Sequence, residues 1–267
     1  MAVPRILHYP GSKWSIAKWI IEHMPEHRVY QEPYFGSGAV LFNKVPSPVE
    51  TINDINGEVV NLFRIVRERP DELAYRIRWT PYAREEYQLS HEPTTNELER
   101  ARRFMVRCWQ AIRPKTNSIS GWRCRFTQRD AFHIKQWNAL PERMEIVADR
   151  LRHVQIENVR AELLIERYRD PDVLIFADPP YLLDTRNGAI YENELTDEQH
   201  MEMLDLLDKH PGPVLLTGYA HPLYDERLKY WHRRTTMGKP VNGEARTEVL
   251  WLNSIAANQI GQQVMQI

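Results

Sequence analysis

The chain has 267 residues, 42% of them hydrophobic and 27% charged, which supports a sizeable core under an ordinary soluble surface, built as one large domain or a core domain with an insertion. No apolar run approaches the roughly 18 residues of a membrane span, Met1 to Pro10 lacks a signal-peptide apolar region, and two cysteines, Cys108 and Cys124, make neither a disulfide framework nor a paired metal motif. The expectation is a cytoplasmic monomer with reduced thiols, no membrane contact and no metal.

In chain order, Ile6-Leu7-His8-Tyr9 is a short apolar stretch that turns at Pro10-Gly11-Ser12-Lys13. Ser12 or Ser15 is placed to cap a helix to about Met24, with Trp14, Ala17, Ile20 and Ile21 at helical spacing. The Gly-Ser-Lys turn offers N–H groups and an ammonium to an anion, or is simply a capped turn; it is too short for a P-loop. Val29 to Glu32 reads as the first core strand. It is followed by the turn Pro33-Tyr34-Phe35-Gly36-Ser37-Gly38 and a helical start over Ala39 to Phe42. Strand, glycine turn and helix form the layout of a nucleotide-binding crossover, but Leu41 stands where the dinucleotide fingerprint needs a third small residue. Glu50 to Asp54 reads as the second strand. Asp54 sits where an acid can take both ribose hydroxyls, or it caps a helix over Gly57 to Arg67, a job Asn56 could also do. Together these features suggest an adenosine ligand that is not a dinucleotide.

From about Pro70 to Arg160 helical periodicity replaces strand pattern, which reads as an insertion between two halves of an α/β domain. Thr94-x-x-Glu97 looks like a capping box for a helix to about Ile112, with Leu98, Ala101, Met105, Cys108 and Trp109 on one face. Lys115 to Arg129 is a polar loop, and a further helix runs from Asp130 through Leu151, perturbed at Pro141. The net charge of −1 hides an asymmetry: residues 100 to 135 hold ten Lys/Arg against one acid, Asp130. Arg113, Lys115, Asn117, Arg123, Arg125 and Arg129, interleaved with Trp109, Trp122 and Phe126, suit phosphate contact and base reading in nucleic acid. Arg123 and Arg125 could each pair with guanine in the major groove; phosphate contact alone is the plainer reading.

Strand character resumes at Val154 to Val159. Val173 to Ala177, bounded by Pro171 and Pro179, reads as a buried parallel strand. It delivers Asp178-Pro179-Pro180-Tyr181 to the sheet edge where α/β folds bind ligands. The prolines remove two N–H donors and leave two carbonyl acceptors, and Tyr181 adds a flat face. This suits a planar base with an exocyclic amino group; a stiff turn fits the four letters equally. Leu183 to Glu194 reads as a mobile polar loop near the site. Thr196-x-x-Gln199 is a capping box for a helix with Met201, Leu204 and Leu207 as its apolar stripe. Val214 to Tyr219 is a strand, and His221 to Tyr230 a short helix. Trp231 to Met237 and Glu248 to Leu252 form a closing antiparallel pair, and an amide-rich tail frays after Asn253.

The order of Tyr9-Pro10-Gly11-Ser12-Lys13, Glu32-Pro33-Tyr34-Phe35-Gly36-Ser37-Gly38, Asn53-Asp54-Ile55-Asn56 and Asp178-Pro179-Pro180-Tyr181 resembles the Dam-like, alpha-group DNA adenine-N6 methyltransferases, with weaker echoes at Leu195 to Leu207 and Thr247 to Leu250. Ser12 departs from the second glycine often found there. The resemblance implies a Rossmann-like S-adenosylmethionine-dependent α/β sheet, formed by residues 1–69 and 154–267, with an inserted, mainly helical target-recognition domain over 70–153. It implies duplex DNA as the partner and S-adenosylmethionine as the methyl donor. The donor's methionine end would lie by Tyr9, Gly11 and Lys13. Glu32, Pro33, Phe35, Gly36 and Gly38 would form its pocket, Asp54 with Ile55 would hold its ribose, and Asp178, Pro179, Pro180 and Tyr181 would hold a flipped adenine. Cytosine-N4 or RNA-adenine methylation, or a DNA-binding relative without catalysis, stand as alternatives. A zinc deaminase lacks its ligand spacing, and Leu41 argues against a nicotinamide enzyme.

Overall fold

The computed structural model describes residues 3–124, 128–186, 188–238 and 246–265, with side chains omitted for 128–131 and 263–265. In chain order the elements are α1 (Ala17–Ile21), β1 (Val29–Glu32), β2 (Val49–Asn53), α2 (Gly57–Glu68), α3 (Pro70–Arg78), α4 (Arg84–Leu89), α5 (Glu97–Gln110), α6 (Gln128–Asn138), α7 (Met144–Leu151), β3 (Val154–Glu157), α8 (Ala161–Arg167), β4 (Val173–Ala177), α9 (Asp197–Asp208), β5 (Val214–Tyr219), α10 (Pro222–Arg227), β6 (His232–Met237), β7 (Thr247–Leu252) and α11 (Ser254–Met265). Short 3-10 turns occupy Pro141–Arg143 and Leu183–Thr185.

The strands form one seven-stranded sheet in the order β3-β2-β1-β4-β5-β7-β6. β1 to β5 are mutually parallel, while β7 runs antiparallel to both β5 and β6. Alternation along β4 explains how both faces are covered. Leu174 and Phe176 enter a core with Tyr30, Phe63 and Leu215, whereas Val173, Ile175 and Ala177 enter another with Leu204, Leu207 and Leu216. The chain leaves β1 towards β2 and β4 towards β5, so a crevice opens at the carboxyl ends of the two central strands.

The helices between β2 and β3 share the first of these cores. Leu98, Ala101, Met105 and Trp109 of α5 lie in one apolar cluster with Val59, Leu62, Phe63 and Val66 of α2. The interruption expected at Pro141 separates α6 from α7.

Several local expectations give way to specific bonds. The first helix is short and has no side-chain cap, because the Ser12 hydroxyl lies 2.8 Å from that of Ser37. Residues 39–42 make a turn closed by Phe42 N–H to Gly38 O rather than a helix. Asn56, not Asp54, caps α2 by accepting from Glu58 N–H, and Asn96, not Thr94, caps α5. The Thr94 hydroxyl accepts from Asn96 N–H instead. β3 stops at Glu157 because Val159 N–H turns to the Asn53 side chain. The Thr196 capping box forms as expected, but Met203 is buried in α9 and Met201 is exposed. The tail is the helix α11, started by Asn253, whose Oδ1 accepts from Val214 and Ala256 N–H groups. Among the described residues no helix is long and apolar enough to cross a membrane.

Candidate active site

The crevice is a cleft of about 460 Å³. The first segment contributes Tyr9, Gly11 and Lys13, and the turn after β1 contributes Glu32, Pro33, Phe35 and Gly36. The end of β2 adds Asp54 and Ile55, and the end of β4 adds Asp178 and Pro180. Gly38 is not among the lining residues. At φ +67° it brings the backbone against the rings of Phe35 and Phe42, where a Cβ would sit 2.4 and 2.5 Å from ring carbons.

Asp54 ties two loops together. Its Oδ2 accepts from Gly36 N–H at 2.8 Å and its Oδ1 from Asn56 N–H at 2.9 Å. Burial pushes its carboxyl up to about 6, against the lowering effect of those two bonds. A carboxylate offers roughly four lone-pair directions, so two remain for hydroxyl donors after the backbone bonds. Glu32, at the end of β1, accepts from the Tyr30 hydroxyl at 2.8 Å, and burial raises its carboxyl to about 8.

Across the cleft, Lys13 Nζ stands 2.9 Å from Asp178 Oδ1 and donates to Gly11 O at 2.8 Å. Burial alone would depress the ammonium pKa, but the carboxylates of Asp178 and Glu248 hold it above its ordinary value. The Thr217 hydroxyl donates to the same Oδ1 at 2.7 Å. One carboxylate oxygen is thus pinned by two donors, while Oδ2 carries neither bond. Lys13 Nζ also lies 4.5 Å from the Tyr181 ring centroid. Tyr181 itself is buried, with its hydroxyl donating to Glu248 Oε2 at 2.8 Å and Tyr219 packed edge-on at 4.7 Å. Pro179 and Tyr181 are buried and are not among the residues lining this cleft.

Sequence reading missed Thr217, Tyr219 and Tyr191 as parts of this site, and noted Glu248 only within a weak echo. Thr217 and Tyr219 sit on β5, the strand beside β4, so only the strand order reveals them. Tyr191 belongs to the polar segment after the Asp-Pro-Pro-Tyr motif. That segment is tied down: Glu194 pairs with Arg186 at 2.5 Å and accepts from Ile190 and Tyr191 N–H groups. Tyr191 donates to Pro10 O at 3.2 Å, and Thr116 bonds to both Ile190 and Glu192.

The basic segment is less exposed electrostatically than its composition suggests. Arg100 and Arg107 pair with Glu58, Arg102 with Glu86 and Glu99, and Arg103 with Glu99. Arg113, Lys115 and Asn117 lie exposed on the following loop. Arg123 donates to Ala111 O and Ile112 O, each at 3.0 Å, and meets the His133 ring at 2.8 Å, clasping the loop closed beside the Ala111–Trp122 bridge. Arg125 lies outside the described residues, and Arg129 is described only as backbone in α6.

A mainly parallel sheet with a switch point between β1 and β4, a glycine turn after β1 and acids at the ends of β1 and β2 is a Rossmann-like α/β fold. Asp-Pro-Pro-Tyr stands at the end of β4, at that switch point. Residues 9–236 match the D12 class N6 adenine-specific DNA methyltransferases, so the chain belongs to that family and methylates adenine N6 in DNA. The type II methyltransferase M1.LlaDCHI of Lactococcus lactis subsp. cremoris is 26% identical over 265 residues, covering 88% of this chain and 89% of that protein. The DNA adenine methylase of Serratia marcescens is 25% identical over 86% of this chain and 87% of its own. That of Escherichia coli K12 is 26% identical over 86% and 84%.

Proposed function

We propose that the methyl donor is S-adenosylmethionine, that its ribose end is held at Asp54 and its methionine end by Lys13 and Glu32, and that the target adenine is flipped out of duplex DNA onto Asp178. The observation that carries this reading is the convergence of Asp54, Glu32, Lys13 and Asp178 on one cleft. The cleft fits such a group. The glycine turn brings backbone close, Asp54 keeps acceptor directions for two hydroxyls, and Glu32 can meet an ammonium. When bound, the donor supplies an electrophilic methyl on a sulfonium.

The chain's own residues do the rest. An adenine amino nitrogen is a poor nucleophile because its lone pair is delocalised into the ring. Asp178 and the Pro179 carbonyl accept its two N–H bonds, which orients the nitrogen and lets the lone pair localise as charge develops. Lys13 and Thr217 fix the Asp178 carboxylate so that it need not reorganise during transfer. Unstacking the base costs a few kcal/mol, and contact with Tyr181 returns about 1–3 kcal/mol. Residues 70–153 form the target-recognition insertion, and 1–69 with 154–267 the catalytic domain. In the insertion, Arg113, Lys115 and Asn117 meet DNA while Arg123 shapes the loop that presents them.

The test is methylation of plasmid DNA by the purified protein with modification mapped base by base. Signal at adenines within one short sequence is expected; signal confined to cytosines overturns the reading. A second expected result concerns Gly11→Ala. At φ +70° a Cβ would lie 2.0 Å from the Tyr191 hydroxyl, and a left-handed non-glycine residue costs roughly 1–2 kcal/mol. Donor affinity by calorimetry should fall by about tenfold; unchanged affinity would show that Tyr191 and this turn do not shape the pocket.

A further inference from the structure

Glu248 is an acid the mechanism above leaves unused, yet it touches the base platform. It is the second residue of β7, opposite Tyr219 of β5 and Thr236 of β6. Its Oε2 accepts the Tyr181 hydroxyl at 2.8 Å, across 67 residues of chain. The Tyr181 ring is therefore held from three directions: by Glu248 at its hydroxyl, by the Tyr219 edge at 4.7 Å, and by Lys13 at 4.5 Å from its centroid. Only the first bond acts at the far end of the ring, where it limits both tilt and rotation. Stacking on a base needs a π-face and no hydroxyl. A buried phenol aimed at a carboxylate serves orientation instead, since a charge-assisted bond of this kind is short and directional.

We infer that Glu248 is a positioning residue for methyl transfer: through the Tyr181 hydroxyl it fixes the ring on which the flipped adenine rests beside Asp178. The inference builds on the adenine-clamp reading given above. It accounts for an acid directly before the buried, apolar run Val249 to Leu252 of β7. It also gives β7, the strand inserted between β5 and β6, a part in the site.

The test compares Glu248→Ala, Glu248→Gln, Tyr181→Phe, Tyr181→Ala and the Glu248→Ala/Tyr181→Phe double variant. Single-turnover methyl transfer to unmethylated plasmid DNA is followed, with S-adenosylmethionine affinity and melting temperature measured alongside. Glu248→Ala should slow transfer by about tenfold with donor affinity unchanged. Glu248→Gln, whose amide oxygen still accepts the phenol, should recover most of the rate. In the Tyr181→Phe background Glu248→Ala should change the rate by less than about twofold, because the bond it breaks is already gone. A wild-type rate for Glu248→Ala, a Gln variant as slow as Ala, or multiplying effects in the double variant would each overturn the inference. Tyr181→Ala separates the two levels. If it transfers methyl at the wild-type rate, the clamp reading itself fails; if it is slow while Glu248→Ala is not, only the role of Glu248 fails.

Discussion

Asp178→Asn should cut methyl transfer by about 10²–10³-fold, the size of effect seen when one pre-organised polar partner of a transition state is removed, while DNA affinity stays close to wild type. The amide keeps the shape but replaces one acceptor oxygen with a donor, and that donor opposes either the adenine amino group or the Lys13 and Thr217 donors. Asp178→Ala tests the same role less cleanly. Lys13, only 6% exposed, would be left as a buried ammonium without its partner, and breaking such a pair costs about 3–5 kcal/mol of stability. Thermal melts should therefore show Asp178→Ala unfolding earlier than Asp178→Asn. An Asn variant that methylates at the wild-type rate would remove Asp178 from the chemistry.

Donor binding should weaken as pH falls through about 6. Burial raises the Asp54 carboxyl to about 6, so below that pH it is increasingly the acid, which loses acceptor capacity toward hydroxyls. Calorimetric titrations of S-adenosylmethionine between about pH 5 and 8 should show affinity rising with pH in two limbs, one near 6 from Asp54 and one towards 8 from Glu32. Asp54→Asn should bind about tenfold or more weakly and lose the limb near 6. Stability follows the opposite sign. A carboxyl whose folded pKa is raised contributes stability below its unfolded value, and that contribution is lost as pH rises through about 6. Binding and melting temperature should therefore move in opposite directions on this account, which separates loss of the ribose acceptor from simple unfolding. A profile without a limb near 6 would remove Asp54 from the donor site.

What could be read from sequence follows from how local each signal is. β4 was visible because a strand buried on both faces is a continuous apolar run, and β1 and β2 because each ends at an acid after strand-like residues. Asp178, Asp54 and Glu32 lie directly after or at the ends of those strands, so finding the strands found the acids. Thr217, Tyr219 and the bond from Tyr181 to Glu248 depend on which strand neighbours which, and the insertion of β7 between β5 and β6 leaves no local mark. The first helix was read too long because Ser12 suits a cap, whereas its hydroxyl meets Ser37. The tail was read as fraying because amides look like loop, whereas the amide of Asn253 starts a helix.

The four arginines of α5 carry one more consequence. Glu58, Glu86 and Glu99, which balance them, all lie outside the basic stretch of sequence. Each cation neutralised inside the protein releases no counterion from a phosphate, and non-specific affinity scales with the number that do. Under the proposed DNA contact, the α5 arginines therefore add little to the enzyme's grip on arbitrary sequence. On that reading its residence between sites is expected to be shorter than the composition suggests, with a larger share of its discrimination falling to contacts made only at the right bases.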